Sequence, residues 1–350
     1  MAYDSLTFIA KQVNSRVAIQ RAGEGETDLN EFNIYFRTNV ESEWIRYTIG
    51  NIITLEDVGD YVQFKTTQEE LNTEYSYIYF QTLGSIDAEG PINSMLNYSS
   101  EVTPWCFYKL FSGCRDLKTA PELPAISMKE HCYELMFWGC INLKTAPELP
   151  AYYLADSCYK GMFSECNGLV TPPELPATVM QDFCYQEMFE NCTSLTTAPE
   201  LPAEVLAKYC YYYMFTGCTS LTTPPALPAE VLAENCYFFM FANCSGLASA
   251  PALPADVLTE FCYYFMFSGC TSLTTAPELP ATVLTPSCYE GMFSSCTNLT
   301  TVPDLPSENL AESCYKFMFY NCTSLTNRPN YYSASTVKDC YTDMFKGCPA

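Results

Sequence analysis

The chain has 350 residues, 48% of them hydrophobic, which is enough for one large domain or two ordinary ones and argues against a disordered polymer. Its 40 acidic residues against 17 basic ones give a formal charge of −23, which repels a phosphate backbone and excludes nucleic-acid binding through a basic surface. No apolar run reaches the roughly 18–20 residues that cross a bilayer. The first residues lack the basic segment and apolar stretch of a secretory signal, and one histidine leaves His-dependent catalysis little to draw on.

In chain order, residues 6–10, 16–22, 31–38, 44–49, 60–66 and 75–81 alternate polar with aromatic or β-branched side chains. Turns containing Gly, Asn and Glu separate these runs, so residues 1–84 are expected to form a small antiparallel β-sandwich. Residues 85–105 read as a junction and N-terminal cap.

Beyond them, cysteines stand at 106, 114, 132, 140, 158 and 166, and the pattern runs on to 340 and 348. Gaps of 8 and 18 alternate, giving ten copies of a 26-residue unit. A fixed period of this size signals a solenoid, in which each unit buries its apolar edge on its neighbours. With the first cysteine as position 0, positions 0, 1, 4, 5 and 8 hold Cys, Tyr or Phe, Met or Leu, Phe, and Cys. At about 100° per residue they share one arc of roughly 140°, which predicts a short inward-facing helix in each coil. Leu117 and its counterparts to Leu325 follow three residues after the second cysteine. Prolines at positions 15 and 18 then remove amide donors, so that edge should be extended with patchy pairing between coils. In the last units Asn327, Arg328 and Asn330, then Lys338, Asp339, Thr342, Asp343 and Lys346, make the surface polar, as a C-terminal cap requires.

The run MFxxCxxL, an extended proline segment, a hydrophobic turn and a return to xxMF resembles the BspA-type leucine-rich repeat of bacterial surface proteins. Cys140 and Cys166 match that family's own cysteine, while Cys132 and Cys158 stand where it usually has isoleucine. The unit is about three residues longer than the family's, and its extra proline argues against the usual parallel sheet. The order of sandwich, GPINSMLNY and CFYKLFSGC is also similar to repeat proteins of gut anaerobes and their crAss-like and related tailed phages. The expected fold is therefore an all-β sandwich followed by a leucine-rich-repeat-like solenoid over 106–350. Its ten coils, each a short helix plus an extended segment, would span roughly 50 Å at ~4.8 Å per coil.

Twenty cysteines suggest metal or disulfide chemistry, yet C-x7-C fits no usual zinc spacing. Residues eight apart on a helix lie roughly 12 Å apart, beyond disulfide reach. Equivalent cysteines of adjacent coils lie closer, but nothing distinguishes odd from even coils. The plainer reading is two interior ladders of reduced cysteine acting as a small apolar residue. His131 beside Cys132 is a surface histidine, because Cys132 repeats a core position and a catalytic residue would be singular. No phosphate loop, nucleophile elbow or singular carboxylate pair occurs, so neither enzymatic activity nor a cofactor is expected. Glu122, Glu148, Glu174, Glu200, Glu278 and Asp304 form an acidic ladder at position 16. Solubility accounts for it, with divalent cation binding at Glu122, Glu148, Glu174 and Glu200 the weaker alternative.

Positions 2, 3 and 6 fall opposite the core arc and should face solvent. Most copies are polar or small there, but three consecutive coils carry Tyr212 and Tyr213, Phe238 and Phe239, Tyr264 and Phe265. Such a patch implies a binding or oligomer surface, unless the rings lie flat between neighbouring coils. Trp138 and Tyr320, alone at position 6, are weaker candidates. Together with the resemblance, this implies non-enzymatic recognition by a phage virion appendage or capsid-surface protein, made in the host cytoplasm. Its partner would be a bacterial cell surface, or a mucosal glycan or protein, with the sandwich contacting other virion proteins and no membrane insertion. The alternatives are a cell-surface adhesin of a gut bacterium and a purely architectural virion component.

Overall fold

The computed structural model describes residues 3–23, 32–331 and 337–349. The start of the third expected strand at Glu31, and residues 332–336 of the expected cap, lie outside them. The chain divides into two compact units, Met1–Leu175 and Pro176–Ala350.

In the first unit eight strands run in chain order: β1 Leu6–Ala10, β2 Ser15–Gly23, β3 Ile34–Thr38, β4 Ile45–Arg46, β5 Ile52–Leu55, β6 Tyr61–Thr66, β7 Ser76–Leu83 and β8 Ile86–Glu89. They form two antiparallel sheets, β4-β3-β6-β1-β8 and β5-β2-β7. Alternation places Val17 and Ile19 in the core with Arg16 outside. β1 is buried along its whole length because β6 and β8 flank it on both edges. Between the sheets Phe80 meets Phe8 at 4.7 Å and Phe64 at 5.3 Å, a cluster of tilted rings that fixes the packing. The short strands β5 and β8 fall outside the six expected runs, and β8 lies within the expected junction.

The sandwich also serves the first coil as its neighbour. The Phe80 amide donates to the Leu110 carbonyl at 2.7 Å, and the Phe80 ring stacks on Phe111 at 5.4 Å. Ile86 bridges Leu117 in parallel, and the Cys114 thiol donates to the Phe80 carbonyl at 3.1 Å.

The expected helix is absent. Among the described residues the only helical segment is a 3-10 turn, Ile92–Leu96. In its place stands a chain of overlapping turns with a period of four. The amides of Cys106, Tyr108, Leu110, Ser112 and Cys114 donate to carbonyls three residues back. The amides between them, from Trp105, Phe107, Lys109 and Phe111, donate at 2.9–3.0 Å to Glu130, Cys132, Glu134 and Met136 of the next coil. Every fourth residue is left-handed, with φ of 62° at Trp105, 56° at Lys109 and 75° at Gly113. An α-helix tolerates no such residue and keeps all its amides to itself. Positions 0, 4 and 8 and positions 1 and 5 still face inward, because a period of four aligns them as well as one of 3.6. Their side chains, from Cys132 and Tyr133 to Phe163 and Cys166, are buried in columns that run from coil to coil.

The second unit repeats this arrangement, with left-handed Phe183, Glu187 and Asn191 and the amides of Tyr185, Glu187 and Phe189 donating forward to Cys210, Tyr212 and Met214. Among the described residues its coils also pair at isolated parallel bridges, Thr275 to Thr301 on the proline edge and Val205 to Val231 and Val231 to Val257 in the turn that follows the prolines. Proline offers no amide to extend them. In the last units Lys338 pairs with Glu312 and Lys346 with Asp343, while Arg328 lies 4.8 Å over the Phe345 ring.

Candidate recognition surface

The period-four backbone sets the geometry of the aromatic residues. Positions 2 and 3 occupy the outer side of the turns, and position 3 is left-handed: φ is 56° at Tyr213, 54° at Phe239 and 49° at Phe265. All six side chains come together, half-buried, as two adjoining columns. In one, Tyr212 stacks on Phe238 at 4.8 Å and Phe238 on Tyr264 at 4.5 Å. In the other, Tyr213 stacks on Phe239 at 5.0 Å and Phe239 on Phe265 at 5.2 Å. Within each coil the two rings are tilted against each other, 4.5 Å apart at Tyr212 and Tyr213. The rings therefore lie flat between coils, the arrangement expected as the alternative to an open patch: stacking on the next coil half-buries the six instead of leaving them facing solvent, and only their outer parts remain available for contact.

The columns end on built features. A Cβ on Gly291 would lie 2.3 Å from the Phe265 ring, so only glycine lets that ring rest on the following coil. Glu290, buried beyond Tyr264, accepts from the Ser287 hydroxyl at 2.7 Å and pairs with Lys316 at 3.3 Å. Partial burial, with the neighbouring Tyr213 and Glu187, pushes the Tyr212 hydroxyl up to about 12. Burial raises Tyr213 and Tyr264 too, so all three hydroxyls stay protonated at neutral pH. The slab widens through residues at position −1, which the sequence reading did not single out. Phe183 stacks on Tyr209 at 4.8 Å, Tyr209 meets Tyr212 at 5.6 Å, and Phe261 meets Tyr264 edge-on at 5.7 Å. An aromatic residue immediately before the first cysteine in these coils was the available signal.

The remaining candidates lie elsewhere. Trp138, 44% exposed, lines a separate cleft in the first unit, and Tyr320 packs edge-on against Phe317 at 5.8 Å. Glu122, Glu148, Glu174, Glu200, Glu278 and Asp304 are exposed along the proline edge. Asn330 holds the Asp304 carboxyl below its usual range through backbone and side-chain hydrogen bonds. Among the described residues no group of three or more His, Cys, Asp or Glu is placed to hold a metal. His131 stacks on Trp105 at 3.8 Å, and its Nδ1 lies 2.5 Å from buried Glu134.

The cysteines are reduced thiols, buried except for half-buried Cys348. Burial pushes Cys132 and Cys244 up to about 12, far from a nucleophilic thiolate. The second cysteines are more than small apolar residues. Cys140 donates to the Phe111 carbonyl at 3.2 Å, and Cys218 and Cys244 donate to Phe189 and Phe215 at 3.0 Å. Each such thiol ties its coil to the preceding one. The surface can thus offer a rigid slab of ring edges rimmed by hydroxyls, which suits apolar contact with directional hydrogen bonds.

A coil that satisfies its outer carbonyls with the previous coil's amides, around columns of Leu, Met and Phe, defines a solenoid of stacked repeats. The profile of the BspA type leucine rich repeat region, with six copies, matches residues 133–252 and 213–350, and the chain belongs to that family. No curated protein and no solved structure matches the chain. Among the described residues no helix is long and apolar enough to cross a membrane.

Proposed function

We propose that this chain is a non-enzymatic recognition protein whose aromatic slab binds a partner on a bacterial cell surface or in a mucosal layer. The observation that carries this reading is the double stack of Tyr212, Phe238 and Tyr264 beside Tyr213, Phe239 and Phe265. Rings already locked against one another lose little entropy on binding, and tyrosine-rich apolar surfaces are where binding energy concentrates. Family membership supports a role in surface recognition. The ten-copy repeat supplies a lattice on which positions 2, 3 and 6 vary while the core does not.

In this reading the protein is carried on a phage particle, with the sandwich as its attachment to other virion proteins. The BspA-type family, known from bacterial surface proteins, favours an adhesin as the second reading, and mass spectrometry of purified particles separates the two. The slab itself is tested by replacing its six aromatics with serine and measuring binding of the labelled chain to gut anaerobes and mucin. Saturable binding that the variant loses is expected. Binding that survives all six substitutions removes the slab from recognition and leaves it a spacer or a subunit contact.

A further inference from the structure

The first unit holds a second site, remote in kind from the stacked slab because one of its main rings is unstacked. A cleft of about 330 Å³ is lined by Ala22, Tyr77, Tyr79, Lys109, Ser112, Leu135 and Trp138. Sites for small ligands begin at roughly 300 Å³, and they combine apolar walls with a few placed polar groups. Tyr77 and Tyr79 come from β7, Lys109 and Ser112 from the first coil, and Leu135 and Trp138 from the second. Trp138 is 44% exposed and makes no ring contact among the described residues.

Lys109 is the singular group. Its ammonium lies 4.9 Å from the Tyr108 ring centroid and 5.5 Å from that of Tyr77, an orientation fixed by two aromatic faces. It forms no ion pair among the described residues. Buried Glu134 on the next coil is engaged by His131 and by Lys160, at 2.5 and 3.8 Å. Lys109 feels Glu134 only at longer range and shares it with those two side chains, so a half-buried ammonium with no direct ion-pair partner is conspicuous in a chain of net charge −23.

We infer that this cleft binds an acidic monosaccharide unit of a glycan, its carboxylate on Lys109 and its ring against Trp138. A pyranose presents an apolar C–H face to an indole and hydroxyls to the tyrosine and serine rim, and its carboxylate gives Lys109 a direct ion-pair partner. The acidic chain disfavours ligands of higher negative charge, such as phosphate dianions or nucleic-acid strands, and a single carboxylate meets the least repulsion.

The test is titration of the full chain with methyl glucuronide, methyl glucoside and adenosine monophosphate, followed by saturation-transfer NMR and calorimetry. The glucuronide is expected to bind at least tenfold more tightly than the neutral glucoside. Lys109→Gln should erase that preference while leaving weak glucoside binding in place. Trp138→Ala should abolish binding of both sugars, with an unchanged melting temperature confirming the fold. The variant with six serines in the aromatic slab should bind the glucuronide like the parent chain, so the two sites succeed or fail separately. Equal binding of both glycosides, tighter binding of the nucleotide, an unaffected Lys109→Gln variant, or no binding of any sugar would each overturn the assignment.

Discussion

The hydroxyls of Tyr133, Tyr211 and Tyr289 are buried with no hydrogen-bond partner among the described residues, although their rings stack on the next coil at 5.8–5.9 Å. The ring stabilises such a position and the hydroxyl does not, as Phe107 at the same position of the first coil illustrates. Tyr211→Phe should therefore be neutral or raise stability by about 1 kcal/mol, whereas Tyr211→Ala should cost about 3–5 kcal/mol. Urea unfolding measures both, and a clear loss in the phenylalanine variant would reveal a partner for that hydroxyl. Gly291 is the opposite case, a residue defined by what it lacks. With φ at 63° and the Phe265 ring where a Cβ would stand, Gly291→Ala should displace that ring and cost about 1–3 kcal/mol. Ring-current shifts at Phe265 read the displacement directly, and an unmoved ring would refute it. At this scale the core residues were legible in the sequence, because a repeated position carries the same side-chain type in every coil. The widening of the slab by Phe183, Tyr209 and Phe261 was not, because position −1 varies and no period points to it.

At the scale of the element, the sequence reading went wrong in an instructive way. Over nine residues the inward set 0, 1, 4, 5 and 8 fits a period of 3.6 and a period of four equally well. The distinguishing signal stood at position 7, where eight of the ten copies carry glycine (Gly113, Gly139, Gly217, Gly269, Gly347) or asparagine (Asn191, Asn243, Asn321), the other two being Glu165 and Ser295. Glycine and asparagine are the residues that most readily adopt the left-handed conformation, and all eight do. Runs of apolar and β-branched residues were legible as strands, as for β1, β2 and β6. β5 and β8 were not, being four residues each, and β8, with the sequence IDAE, is held by Leu117 and β1 more than by its own propensity. Circular dichroism decides between the two coil structures. The turn chain predicts a far-ultraviolet spectrum without the helical band near 222 nm, and a helical segment in each coil would produce that band strongly.

For the whole molecule the buried thiols set a limit in pH. An unfolded cysteine ionises near 9.0, while burial holds Cys132, Cys166, Cys236 and Cys244 protonated to about 12. Their contribution is complete below pH 9 and is lost as the pH rises towards 12, because only the unfolded chain gains by ionising there. Each fully buried thiol removes ~1.4 kcal/mol per pH unit in that window. Several acting together exhaust a typical stability of about 5–15 kcal/mol near pH 10. Intrinsic fluorescence should therefore report a cooperative alkaline transition between pH 9 and 11, and a chain that stays folded at pH 12 would contradict the buried ladders. The forward-donating amides have a further consequence, for how such a protein changes over generations. Because each coil meets its neighbours through the same bonds, removing residues 236–261 joins Asn235 to Cys262 and offers every donor an equivalent acceptor. Phe265 would then rest on Tyr213. Specificity can thus be edited by the module, with recombination between near-identical segments shortening or lengthening the aromatic columns one step at a time and leaving the interior untouched.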